Sequence, residues 1–194
     1  LVTPGARISA VIEVLDKVDQ SLYQPDEVVS SYFRGRRYIG SRDRRFISET
    51  IYSILRYTAH LNWLTPSGSS REKVIAYLID IKQLKDIDIL ELFDGTGYSP
   101  PQLNSAEIKL ISVISDKSGA SPNLPRWVQT EFPEWLYERM EVYWGEIFDE
   151  EANALNRPAT IDLRVNTLKT DCTKVLEILK NDGLLATPTP HSPI

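Results

Sequence analysis

From Ile8 to Ile114 the apolar residues recur at three- and four-residue intervals, and the alternation of a strand is absent from that span. Helices patterned this way must bury one stripe against another helix. Thr3 and Pro4 supply a cap and a first-turn proline for a helix carrying Ile8, Val11, Ile12, Leu15, Val18 and Leu22. Pro25 opens a second helix with Val28, Val29, Tyr32 and Phe33. Ser41 is the expected cap of a long third helix. That helix has Asp43 in its first turn and Phe46, Ile47, Ile51, Ile54, Leu55 and Leu61 inward. Ser69 or Ser70 caps a fourth, with Val74, Leu78 and Ile81 inward. A short helix around 87–93 precedes a breaker-rich loop from Asp94 to Leu103. Asn104 then starts a helix carrying Ile108, Ile111 and Ile114. The pattern predicts an all-α bundle of about five or six helices.

Further on the period changes. Residues 116–125 have the composition of a linker. Pro133 opens a helix with Trp135, Leu136, Met140 and Tyr143 that ends near Gly145, and a shorter one runs from about Glu150 to Leu155. Past Pro158, Ile161, Leu163 and Val165 alternate with Asp162, Arg164 and Asn166, which is the period of a strand. A helix over 171–182, with Val175, Leu176 and Leu179 inward, stops at Gly183, and Leu184 to Thr187 reads as a second strand. The expected fold class is therefore mainly α. A helical domain covers 1–120, connector helices 121–156, and the start of a small β-α-β unit 157–194. Two strands and a helix are too few to make a stable sheet domain.

Charge narrows the function classes. A net charge of −5 argues against indiscriminate nucleic-acid binding. Its distribution is uneven. Residues 1–65 carry nine Lys/Arg against seven Asp/Glu, residues 66–156 eight against sixteen, and residues 157–194 five against four. No run approaches the roughly 18 apolar residues of a membrane span. The start, Leu1-Val2-Thr3-Pro4, lacks the basic-then-apolar pattern of a leader and reads as processed or trimmed. A single cysteine, Cys172, excludes an internal disulfide and a Cys-rich zinc site, and His60 and His191 leave little for a metal. The expected location is cytoplasmic.

Arg34, Arg36, Arg37, Arg42, Arg44 and Arg45 crowd the turn between the second and third helices, with Tyr38 among them. They are candidates for phosphate contact and base stacking. The competing reading is a solvated junction in which some pair with Asp43 or Glu49 and others cap carbonyls. Arg164 and Asn166 share one strand face, with Lys169 just beyond, and form a second candidate set. Asp94-Gly95-Thr96-Gly97 superficially resembles a ligand-binding glycine loop, but it follows a helix and leads into Pro100-Pro101. The expectation there is an inter-helix loop. Trp127, Trp135, Tyr143 and Trp144 have helical spacing and are expected in the core, and His60 is expected partly buried on its helix.

Three stretches carry a resemblance. Arg42-Asp43-Arg44-Arg45-Phe46-Ile47, followed by Tyr52-Ser53-Ile54-Leu55-Arg56, is similar to the helix signature of NusB-like domains. Phe132-Pro133-Glu134-Trp135-Leu136 resembles a stretch that opens the recognition region of RsmB/Sun-type rRNA (cytosine-5) methyltransferases. Ala154-Leu155-Asn156-Arg157-Pro158 through Leu163-Arg164-Val165-Asn166-Thr167-Leu168-Lys169 is the most specific match to that family. The resemblance implies a NusB-like domain followed by the start of an RNA-recognition region, with small-subunit ribosomal RNA as partner. It implies S-adenosylmethionine as cofactor of the full-length protein and a methyltransferase domain downstream of Ile194. The family's catalytic cysteines stand in Pro-Cys and Thr-Cys contexts, and neither occurs here. Cys172 lies beside Asp171 rather than in the electropositive setting a thiolate needs, and reads as structural. No catalytic, cofactor-binding or metal-binding residue is expected in this chain, which by itself would perform no chemistry. The alternative is a stand-alone NusB-like adaptor of the antitermination type, binding RNA or protein without catalysis. A protein-docking bundle that has lost its RNA role is a third reading, favoured by the acidic middle.

Overall fold

In a computed structural model that describes residues 2–65, 67–117 and 124–190, the chain is helical where its apolar residues recur at helical spacing. Thr3 caps α1 (Pro4–Gln20), its Oγ1 accepting from the Ala6 amide at 3.2 Å. α2 (Pro25–Arg34) starts on its proline. Ser41 is the first residue of α3 (Ser41–Arg56), and Gly40 takes the cap position assigned to it. The expected long third helix is in fact two, because the chain breaks at Tyr57 and Leu61 belongs to α4 (Thr58–Leu64). Glu131 accounts for the break. Its Oε2 accepts from the amides of Ala59 and His60 at 2.9 and 3.2 Å, satisfying a helix start that the sequence around Tyr57 cannot cap by itself.

Ser69 caps α5 (Ser70–Ala76), which runs into a π-helical turn at Tyr77–Ile81. α6 (Asp86–Leu92) leads to the 94–103 loop. α7 (Ser105–Lys117) opens on a reciprocal cap: Asn104 Oδ1 accepts from the Glu107 amide, and Glu107 Oε2 accepts from the Asn104 amide, both at 2.9 Å. α1 packs against α2, α3, α5 and α6, and its Ile8, Val11 and Val14 meet Ile47, Ile51, Val74 and Ile89 in the core. Three residues expected inward are at the surface. Leu22 lies past the end of α1 and escapes its phase, Ile108 is exposed, and Phe46 sits under the Arg7 guanidinium.

α8 (Arg126–Gln129), α9 (Glu134–Trp144), a 3-10 turn (Gly145–Ile147) and α10 (Phe148–Leu155) complete the first of two compact units, Leu1–Asn156. Phe148 is fully buried, with the rings of Phe132, Tyr137 and Trp144 around it at 5.4–6.0 Å. Trp127 packs edge-on against Trp63. Trp135 and Tyr143, expected in the core, are 70% and 79% exposed. The spacing is helical as read, but Tyr137, Trp144 and Phe148 occupy the covered face, whereas Trp135 falls with Val142 on the open one.

His60 is partly buried, as expected, with Nε2 2.7 Å from Asp80 Oδ2. The Asp80 hydrogen bond raises its pKa above 6.5 against the opposing effect of burial, with the charges of Asp80 and Glu131 assisting. A raised folded-state value makes this stabilisation complete below pH 6.5 and removes it as pH rises through the folded value. His60→Gln is expected to flatten the dependence of melting temperature on pH above 6.5. An unchanged pH profile in the variant would contradict the pairing.

At Gly5 the backbone of α1 lies close against Ser99 and Leu92. A Cβ there would overlap Ser99 Oγ and lie 2.9 Å from the Leu92 carbonyl oxygen. Gly5→Ala is expected to cost about 1–3 kcal/mol by overpacking, measurable by thermal denaturation.

The second unit, Arg157–Ile194, is built on α11 (Cys172–Asn181). Asp171 Oδ1 caps it by accepting from the Lys174 amide at 2.9 Å. Gly183, at φ +78°, ends it: its amide reaches the Lys180 carbonyl, and the Leu184 amide reaches that of Leu179. Val175, Leu176 and Leu179 are half-buried on the side expected. The two strands expected at 161–166 and 184–187 are corrected. Neither segment forms a ladder among the described residues. Ile161 and Leu185 are almost fully exposed, so the alternation is present without a neighbour to pair with. In place of the expected β-α-β unit, the described residues of this unit hold one helix and no strand. Most of the expected 116–125 linker, and His191, lie outside the described residues. Among the described residues no helix is long and apolar enough to cross a membrane.

Candidate nucleic-acid interface

Two turns link α2 to α3. The Arg36 amide donates to the Phe33 carbonyl and the Ile39 amide to that of Arg36, while buried Ile39 anchors the segment. Arg36 and Arg37 lie here, Arg34 closes α2, and Arg42, Arg44 and Arg45 stand at the start of α3; the structure sorts the six into different roles. Arg36 reaches Glu13 Oε1 at 2.6 Å and lies over the Tyr32 ring at 3.9 Å. Glu13 also accepts from Lys17 Nζ and from the Tyr32 hydroxyl. Burial pushes the Glu13 carboxyl up, but Lys17, Tyr32 and Arg36 outweigh it and hold it below the usual range. Arg44 is also an internal strut. Its Nε donates to the Ile39 carbonyl at 2.8 Å, and its far nitrogen reaches the carbonyls of Arg36 and Phe33.

The remaining four face solvent. Arg45 pairs with Glu49 at 2.8 Å, one helical turn along. Exposed pairs of this kind are worth a few tenths of a kcal/mol, so the guanidinium is readily released. Arg34, Arg37 and Arg42 are exposed and carry no side-chain partner among the described residues. Tyr38 stands among them at 77% exposure. Asp43 takes no part in the cluster. It is buried and faces Arg7 Nε at 2.7 Å, although neither atom is aimed to make a hydrogen bond. The arrangement presents three free guanidinium groups and one phenol ring on a short, anchored turn. That set can contact phosphates and stack an unpaired base.

The second candidate set lies in the other unit. Arg164 and Lys169 are exposed and unpaired among the described residues. Asn166 closes a turn: its Oδ1 accepts from the Leu168 amide at 3.1 Å, and its carbonyl accepts from those of Lys169 and Thr170. Its side-chain NH2 stays free to donate. The glycine loop is a self-closed turn. Asp94 takes the Thr96 amide and hydroxyl at 2.9 and 2.7 Å, and the Gly95 amide meets the Pro100 carbonyl. The donors a phosphate would need at Gly95 and Thr96 are already used. Sequence reading missed Glu13, the anchor of Arg36, because a pair 23 residues apart leaves no local signal.

The sequence resemblance meets an independent finding in the C-terminal third. Residues 132–194 match the family model "Methyltr_RsmF/B-like, ferredoxin-like domain". The match covers about a third of the chain, the part that carries two of the three resembling stretches. It takes in α9, α10 and the whole second unit. No curated protein and no solved structure matches the chain.

Proposed function

We propose that this chain is the RNA-recognition portion of an S-adenosylmethionine-dependent small-subunit rRNA 5-methylcytosine methyltransferase. In this reading residues 1–120 form a NusB-like domain, 121–156 connect it, and 157–194 begin the α/β recognition region. Arg34, Arg37 and Arg42 bind phosphates, and Arg45 joins them by leaving Glu49. Tyr38 stacks on an unpaired base, and Arg164, Asn166 and Lys169 make further contacts. Arg36 and Arg44 hold the turn in shape without touching RNA. The cofactor would supply the methyl group in a catalytic domain outside these residues.

The observation that carries the reading is the unpaired arginine trio on a chain of net charge −5, in which most other cations near it are committed to carboxylates. Fluorescence anisotropy with a labelled hairpin from small-subunit rRNA provides the test. Binding should be detectable at low salt and compete with unlabelled hairpin. Absence of binding at low salt would refute the reading.

A further inference from the structure

A cleft of about 1400 Å³ opens between the start of α1, the α2–α3 turn and the 94–99 loop, all within the first unit. We propose that this cleft docks a Lys- and Arg-bearing segment of a protein partner. Its size points to a stretch of chain, because pockets for small molecules run to about 300–1000 Å³. Its floor is apolar, formed by residues such as Ala10, Ile39, Ile47 and Leu92.

Charge decides what the floor receives. Arg36 is the one cation among the residues lining the cleft, and it is spent on Glu13. Asp43 is matched by Arg7. Asp88, Glu91 and Asp94, which also line the cleft, meet no cation among the described residues. Among the described residues the Asp88 carboxylate accepts from the Lys85 amide, and the Asp94 carboxylate from its own turn. Glu91 has no partner among the described residues. Tyr38 and Tyr98 also line the cleft, 77% and 87% exposed, and an exposed aromatic ring can take a cation on its face. A nucleic-acid strand would place phosphates against the three carboxylates. A basic segment instead gains their attraction, and its apolar side chains cover the floor. The cleft therefore complements a partner of opposite charge to the one the neighbouring arginines attract. It draws on different charged residues from the RNA reading and shares only Tyr38 with it.

The test uses the whole chain and a fluorescein-labelled nonapeptide alternating Leu with Arg, titrated at low salt. Glu91→Lys and Tyr98→Ala change exposed side chains, and circular dichroism should show their fold intact. The wild type should bind the peptide, with affinity falling as salt rises. The double variant should bind about tenfold or more weakly. Arg34→Ala/Arg37→Ala/Arg42→Ala should bind it at least as tightly, because three neighbouring cations that repel the peptide are gone, which separates this result from any failure of the RNA reading. Equal binding by the double variant, or none by the wild type, would overturn the proposal. Displacement of the peptide by single-stranded RNA from the triple-alanine variant would give the cleft to RNA and overturn it as well. So would a dimer in sedimentation that Tyr98→Ala dissolves, since a second copy would then be the occupant.

Discussion

Exchanging Arg34, Arg37 and Arg42 together for alanine is expected to weaken binding to a small-subunit rRNA hairpin by about 100-fold at low salt, with the melting temperature unchanged. Each side chain is exposed and makes no contact that the fold needs. Each offers a charge-assisted hydrogen bond to a phosphate, worth about 1 kcal/mol net, and three such losses amount to about two powers of ten. Arg36→Ala should behave in the opposite way. It removes the partner of Glu13 and the cation over Tyr32, so stability falls by about 1–2 kcal/mol while RNA affinity per folded molecule holds. Anisotropy and thermal denaturation on both variants separate the two roles. If Arg36→Ala costs affinity and the triple variant does not, the assignment of free and structural arginines is wrong.

The largest effect on stability is expected at Glu107, where Glu107→Ala should cost about 3 kcal/mol or more. The side chain is 6% exposed and takes Arg71 Nε at 2.5 Å and a second Arg71 nitrogen at 3.1 Å. Arg71 also donates to the carbonyls of Pro101 and Gln102 and lies over the Phe93 ring. One ion pair thus ties α5 to the 94–103 loop and to the cap of α7. Alanine leaves the Arg71 charge without its carboxylate and undoes the Asn104 cap. Burial raises the Glu107 carboxyl, but Arg71 and the Asn104 amide prevail and hold it below 4.5. A lowered folded-state value means that the stabilisation is complete above pH 4.5 and disappears as pH falls through that lower value. Glu107→Gln should therefore lose less stability than wild type on acidification. Chemical denaturation at neutral and acid pH checks both statements.

Local chemistry made much of this fold legible in the sequence. Thr3 before Pro4, Ser69, Asn104 with Glu107, and Gly183 each end or start a helix through bonds spanning a few residues, and each does so in the structure. What stayed hidden depends on residues distant in the chain. α3 and α4 separate because Glu131, more than seventy residues on, supplies acceptors at the break. The amphipathic faces of α9 look alike in sequence, and only the position of Phe148 decides that Tyr137 is covered and Trp135 is not. The alternation at 161–166 is a real pattern, but a strand also needs an edge to pair with. At the candidate interface the sequence located the arginines as a group. It could not divide them, because Glu13 and the carbonyls of Phe33, Arg36 and Ile39 make that division.

We propose RNA binding through the unpaired arginines of the α2–α3 turn. The salt dependence of RNA affinity tests it most directly, because each phosphate contact contributes a slope of about −0.7 in log affinity against log salt for a single strand. In the wild type the slope should be at least about −2, and in the Arg34→Ala/Arg37→Ala/Arg42→Ala variant it should be shallower by about 2 units. Parallel slopes for the two proteins would contradict the claim and move the interface elsewhere on the chain.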